Sequence, residues 1–247
     1  MCKDCGCSIN STHTHDHHDH HHENPSLKES KTIEVISKIL SKNDLKAREL
    51  RESFAKDNLF VINIMSAPGS GKTTMLERFS EDSDFRFAVI EGDLETNRDA
   101  ERLQKRGIHA YQITTGEACH LEASMVEKAY FSLKSAGALE NIDYLIIENV
   151  GNLVCPASYD LGESLKIVLL STPEGDDKVL KYPSMFLIAD IVVVSKSDIG
   201  ALFGFKIAQV KSDLAKLNPK ATLFTLNSKD KDNVSALLAH IKSIREA

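Results

Sequence analysis

The stretch Ser66-Ala67-Pro68-Gly69-Ser70-Gly71-Lys72-Thr73-Thr74 directly follows the apolar run Leu59-Phe60-Val61-Ile62-Asn63-Ile64-Met65, and no other feature constrains the fold as much. An apolar strand running into a glycine-rich turn that closes on Gly-Lys-Thr reads as a phosphate-binding loop. Glycines let the backbone turn its N–H groups toward an anion. Lys72 brings a point charge to the β/γ-phosphates, and Thr73 offers a hydroxyl to magnesium at the N-terminus of a helix expected over Met75–Phe79. Gly69, Ser70, Gly71, Lys72, Thr73 and Thr74 are therefore the candidate nucleotide cradle. The usual pattern places Gly five residues before the Gly-Lys pair, where this chain has Ser66. The competing reading is a Gly-Pro-rich turn that happens to end in Lys-Thr.

Apolar runs predict further strands at Phe85–Glu91, Ala110–Thr114, Tyr144–Glu148, Lys166–Thr172, Ile191–Val194 and Thr222–Leu226. Helices are expected over Asn97–Lys105, Ala118–Ser135 and Val234–Ile244. Strands alternating with helices after a phosphate loop give an α/β P-loop NTPase fold, a mostly parallel sheet flanked by helices. Within residues 31–58, Ile33, Ile36, Ile39, Leu40, Leu50 and Phe54 recur at near-helical spacing, with Asn43-Asp44 interrupting. Two short helices packed on the domain at 59–247 are expected there.

Several polar residues fall where such a fold binds ligands, at the C-terminal ends of strands. Asp93 closes Glu91-Gly92-Asp93. Glu148 opens Glu148-Asn149-Val150-Gly151, a carboxylate-x-x-Gly turn of the kind that senses a γ-phosphate through the Gly151 N–H. Ser195-Lys196-Ser197-Asp198 follows a late strand and approximates the Asn/Thr-Lys-x-Asp pattern of guanine readers. Asp198 would accept from N1 and N2 of guanine, and the Lys196 stem would pack along the base. In isolation the same tetrapeptide is equally an ordinary strand-to-helix cap. Ser228 and Lys229 follow the last strand, positioned to close over the base. These features favour GTP/GDP over ATP.

Residues 1–30 form a low-complexity polar segment, expected to be disordered without metal. Cys2, Cys5 and Cys7 precede His13, His15, His17, His18, His20, His21 and His22. Thiolate and imidazole donors packed this densely suit Ni(II), Cu or Zn(II). A purification tag is the bland explanation for the histidines, but Asp16 and Asp19 break the run and the cysteines belong to no tag. A disulfide is a second alternative, disfavoured by close spacing and compartment. Cys119 and His120, expected in the first turn of a helix, pair with Cys155, which lies just beyond Gly151. The three form a candidate metal cluster, although a single buried Cys is often simply core.

With a net charge of -6 and no basic stripe among its aromatics, the chain is not expected to bind nucleic acid. No apolar run approaches the ~20 residues that span a bilayer, and no signal segment precedes the five cysteines, so a reducing cytoplasm is expected.

Taken together, Cys2-x-x-Cys5-Gly6-Cys7, the phosphate loop, Glu91-Gly92-Asp93, Gly116-Glu117-Ala118-Cys119-His120-Leu121, Glu148 through Pro156 and Pro173-Glu174-Gly175-Asp176-Asp177-Lys178 resemble the hydrogenase nickel-incorporation GTPases, the HypB family. The resemblance runs from about Lys31 to the C-terminus and includes the tip of the tail. It implies a metallochaperone GTPase that dimerises with GTP bound. Such a protein serves the large subunit of [NiFe]-hydrogenase with a HypA-type accessory partner. It further implies a Ni/Zn site of Cys119, His120 and Cys155 beside the dimer interface, magnesium held by Thr73, Asp93 and Glu148, and a high-affinity nickel site at Cys2, Cys5 and Cys7. Lys181 would contact the nucleotide of the second subunit. Catalysis would rest on Lys72, with Asp93 or Glu148 positioning water. Ser66 and Ser195 depart from the family pattern. Three rivals are a passive nickel buffer, a related GTPase serving urease or a cobalamin enzyme, and a partitioning-type ATPase. Against the urease chaperone stands the absence of a Cys-Pro-His triplet, and against the ATPase the absence of an early Lys in the loop.

Overall fold

The computed structural model describes residues 26–94 and 98–247, with side chains described from Ser37 onward. The tail residues Cys2, Cys5, Cys7, His13, His15, His17, His18, His20, His21 and His22 lie outside the described residues, as does Asn97 at the expected start of a helix.

The centre of the fold is a sheet of β1 (Phe60–Ser66), β2 (Phe87–Asp93), β3 (Ala110–Thr114), β4 (Tyr144–Glu148), β5 (Leu165–Ser171), β6 (Ile191–Ser195) and β7 (Thr222–Leu226). The order is β3-β2-β4-β1-β5-β6-β7, and every described pairing is parallel. Parallel strands covered on both faces read as continuous apolar runs, which is why Val61–Met65 and Ile167–Leu170 show no alternation apart from Asn63. Helices α1 (Ser26–Lys56), α2 (Lys72–Phe79), α3 (Arg98–Gln104), α4 (Ala123–Ser135), α5 (Lys178–Lys181), α6 (Pro183–Leu187), α7 (Ile207–Leu217) and α8 (Lys231–Glu246) complete it.

Two core layers flank the sheet. On one face Met75, Leu76 and Phe79 of α2 and Leu237, Leu238 and Ile241 of α8 pack on Ile62, Ile64 and Val193. On the other, Ala47, Leu50 and Phe54 of α1 meet Val126, Ala129 and Tyr130 of α4 over Val61 and Ile90. Phe54 and Tyr130 meet edge to face with centroids 5.0 Å apart, worth about 1 kcal/mol beyond the area they bury.

Residues 31–58 do not form two short helices. One helix, α1, runs through Asn43-Asp44 because the Asn43 side chain is satisfied from outside it. Asn43 Nδ2 donates to the Asp160 carbonyl at 2.8 Å, and its Oδ1 accepts the Ala123 N–H at 2.9 Å. That second bond also sets the start of α4. The helix begins at Ala123 rather than Ala118, so Cys119 and His120 sit in the loop before it. The helix α7 was not expected, although Ile207, Val210 and Leu214 carry the right period.

Candidate functional site

The phosphate loop joins β1 to α2, and it depends on glycine at two points where the backbone is left-handed, Gly69 at φ 71° and Gly71 at φ 97°. Lys72, nearly fully buried, reaches back along the loop and donates to Ser66 Oγ at 3.1 Å. The residue standing where the pattern has Gly thus holds the loop's own cation. Ser70 Oγ donates to Glu174 Oε1 at 2.7 Å, and Glu174 also accepts from the Ser171 N–H at 2.9 Å, which ties the loop to the end of β5.

Thr73 Oγ1 donates to Glu148 Oε1 at 2.9 Å. Glu148 ends β4 directly opposite Glu91 of β2, and both carboxylates are buried with one oxygen each, Oε2, lacking a partner. Burial pushes Glu148 up to about 7 despite the counter-charge of Lys72. Burial first, then the charges of Glu148, Asp99 and Asp93, push Glu91 up to about 8. Asp93 ends the same strand. Unpartnered carboxylate oxygens beside a Thr hydroxyl are the surroundings a divalent cation satisfies, so Thr73 and Glu148 could hold magnesium, whereas the Asp93 carboxylate accepts from the Leu94 N–H at the end of β2. Glu91 has no assigned role in the sequence reading; the signal for it is a carboxylate directly following the apolar run Phe87–Ile90 within the strand.

On the base side, Ser195 Oγ donates to the Ser70 carbonyl at 2.6 Å and Lys196 Nζ to the Gly69 carbonyl at 2.7 Å. Both residues anchor the phosphate loop. Lys229 Nζ lies 3.5 Å from Asp198 Oδ2, so the two base-side segments meet, and Ser228 lies beside Lys229 in a cavity of ≈ 300 Å³ with Arg78 and Asp82. Thr74 is reached by Arg102 at 3.5 Å. Lys181 is exposed and pairs with Asp177. Gly151 follows Glu148 closely enough to pack on Pro68 of the loop.

The structure brings Cys119, His120 and Cys155 together: one ligand atom from each lies within 4.8 Å of the others. Cys119 Sγ is 3.9 Å from His120 Nδ1, while His120 Nε2 points to Glu122 Oε1 at 3.9 Å without a hydrogen bond. Tyr159 stacks on the imidazole with centroids 3.9 Å apart and planes at 20°. Burial lowers the His120 pKa, which keeps the ring neutral and fit to ligate. Two thiols and an imidazole are a soft donor set suited to Ni(II) or Zn(II). Sequence reasoning missed Glu122 and Tyr159, which only the fold places against His120.

A parallel α/β sheet with this loop at the end of β1 defines a P-loop nucleotide-binding protein. Residues 60–225 match the profile of the family described as CobW/HypB/UreG, nucleotide-binding domain. The hydrogenase/urease maturation factor HypB of Helicobacter pylori is 61% identical over 207 residues, 84% of this chain and 85% of its own length. The hydrogenase maturation factor HypB of Escherichia coli K12 is 38% identical over 90% of this chain and 76% of its own length. The crystal structure of HypB from H. pylori in complex with nickel superposes with a TM-score of 0.82 at 57% identity, covering 83% of this chain and 95% of that one. The chain belongs to the CobW/HypB/UreG family, in its HypB branch. Among the described residues no helix is long and apolar enough to cross a membrane.

Proposed function

We propose that this chain is a GTP-hydrolysing nickel accessory protein that binds nickel or zinc at Cys119, His120 and Cys155 and delivers nickel for maturation of [NiFe]-hydrogenase. The observation that carries the reading is the approach of those three ligand atoms to within 4.8 Å immediately beside the Glu148–Gly151 turn of a P-loop site. The names of its relatives support the hydrogenase role, and those of the Helicobacter relatives extend it to urease as a second client. It works as a homodimer when GTP is bound, with Lys181 reaching toward the second subunit, and with a HypA-type partner in the cytoplasm. Residues 1–30, through Cys2, Cys5, Cys7 and the histidines, gather metal. Residues 31–58 dock that tail onto the GTPase unit, residues 59–247.

Hydrolysis here needs positioning more than covalent chemistry. The N–H groups of Gly69 through Thr74 and the Lys72 ammonium stabilise charge on the γ-phosphoryl group. Thr73, Asp93 and Glu148 would hold magnesium, which would supply positive charge against the phosphates. Asp93 or Glu148 orients water, and Gly151 senses the γ-phosphate. Asp198 and Lys196 read guanine, with Ser228 and Lys229 closing over it. Ordering of the segments at Asp93 and Gly151 then moves Cys155 relative to Cys119 and changes metal affinity.

The test is GTP hydrolysis and equilibrium nickel titration of the whole chain beside Lys72→Ala and Cys119→Ala. Lys72→Ala is expected to lower kcat ~10²–10³-fold, and Cys119→Ala to remove one nickel site whose affinity depends on nucleotide. A passive buffer would instead lose its nickel only when Cys2, Cys5, Cys7 and the histidines are replaced.

A further inference from the structure

The loop that carries Cys119 and His120 continues into Leu121, which is fully buried against Gly92 near the end of β2 and Asn149 just after β4. Its methyl groups cover Gly92, the neighbour of Asp93; a Cβ on Gly92 would stand 2.9 Å from Leu121 Cγ and both methyls. Its N–H donates to Oδ1 of Asn149, the neighbour of Glu148, at 3.4 Å. Asn149 is itself 1% exposed and held on every side. Its N–H donates to the Ile64 carbonyl of β1 at 3.0 Å, its Nδ2 to Asn63 Oδ1 at 3.3 Å, and its Oδ1 also accepts the Val150 N–H at 3.0 Å. A shift in the Glu148–Gly151 turn that moves this carboxamide must therefore break bonds to β1 or carry the metal loop with it. From the same turn, Asn152 Nδ2 donates to the Cys119 carbonyl at 3.4 Å, a second tie nearer the surface. The far side of the loop is held differently, by Asn43 of α1 on the Ala123 N–H at 2.9 Å.

We propose that Asn149 is the positioning residue through which the state of the nucleotide site reaches the Cys119–His120 loop, acting by its hydrogen bond to the Leu121 N–H. This rests on the GTP-controlled metal site proposed above. Buried carboxamides with all their groups satisfied are stiff, directional links, whereas an apolar contact alone would tolerate sliding. Asn149 thus touches both the turn after Glu148 and the Cys119–His120 loop, so a two-state movement of either would be felt by the other through it.

The experiment is nickel titration of the whole protein with GDP and with a non-hydrolysable GTP analogue, the site being the one lost in a Cys119→Ala control. In the wild type the two nickel Kd values are expected to differ by ~5-fold or more. Asn149→Ala should bring their ratio to within about twofold of one. Asn43→Ala should weaken nickel in both states alike and leave the ratio intact. Hydrogen exchange of the Leu121 amide in the wild type, which needs no variant to fold, should differ between the two nucleotides. A wild-type ratio near one would overturn the metal switch and this assignment with it. A wild-type ratio that survives in Asn149→Ala, one that collapses equally in Asn43→Ala, or a Leu121 amide indifferent to nucleotide would overturn the role of Asn149 alone.

Discussion

Gly151 packs its bare Cα against Pro68: a Cβ added there would stand 2.9 Å from Pro68 Cα and 3.0 Å from its ring. The turn that ends in Gly151 is thus in direct contact with the phosphate loop, and the contact is backbone against backbone, which cannot yield as a flexible side chain would.

Gly151→Ala should separate the two segments. Hydrolysis of GTP is expected to fall ~10-fold or more, with GDP affinity changed less, because only the γ-phosphate side of the cradle is displaced. Comparing kcat with the Kd of each nucleotide checks this; equal losses for GDP and GTP would contradict it.

The two buried glutamates make the magnesium-free protein sensitive to alkali. Both have folded pKa values raised above the ordinary 4.5, Glu91 to about 8 and Glu148 to about 7. A carboxyl raised in the folded state costs nothing below its unfolded pKa, and the penalty grows as pH rises from there to the folded value. Stability should therefore decline between about pH 4.5 and pH 8. Glu91→Gln should stabilise the protein by ~1–3 kcal/mol at pH 8 and hardly at all at pH 4.5. Urea unfolding with a chelator present, at both pH values, decides it.

Nickel at Cys119, His120 and Cys155 should be lost in acid, because thiols must shed a proton and imidazole must be neutral to ligate. Burial lowers the His120 pKa, so protonation of this ring competes with metal at lower pH than it would for an exposed imidazole. Affinity should fall steeply from pH 7.5 to 5.5 at the site removed by Cys119→Ala. An affinity flat over that range would exclude these ligands.

Asp198→Asn should exchange base preference. A carboxylate accepts from the N1 and N2 donors of guanine, whereas a carboxamide also presents a donor, which suits the 2-oxo group of xanthine. Affinity is expected to drop for GTP by ~10–100-fold and to rise for XTP, at a cost near that of one or two charge-assisted hydrogen bonds. Competition binding with the two nucleotides reads the exchange.

The sheet was legible because its central strands are largely apolar runs, and each expected strand is present within two residues of its bounds. Helix boundaries set by distant groups were not. Nothing near Ala123 marks a helix start, since its N–H is capped by Asn43 from α1, and nothing near Asn43 says that its polar side chain is satisfied across the fold. In the site, the residue types of the phosphate loop announce their chemistry. Ser66 and Ser195 read as departures from a pattern, and only the fold shows that one holds Lys72 and the other the Ser70 carbonyl. Tyr159 over His120 and Asn149 under Leu121 were out of reach for the same reason: they act by placement, and residue type alone does not reveal it.

The strand order also bears on how the chain is made. β1 lies between β4 and β5, so Phe60 waits for Tyr144, and Ile62 for Leu165, before its ladder bonds can form. A parallel sheet wired this way closes long loops before it gains contacts, and such topologies fold slowly. Cys119 precedes β4 and Cys155 follows it, so the two thiols approach each other only when β4 has entered between β1 and β2. A nascent chain that has emerged only as far as Ser135 possesses every helix of that half and no metal cluster. Cys2, Cys5 and Cys7, by contrast, are neighbours in sequence from the moment they are synthesised. The ligands Cys119, His120 and Cys155 can meet as soon as β4 is in place, before β5, β6, β7 and the base-side segment at Asp198 have been made.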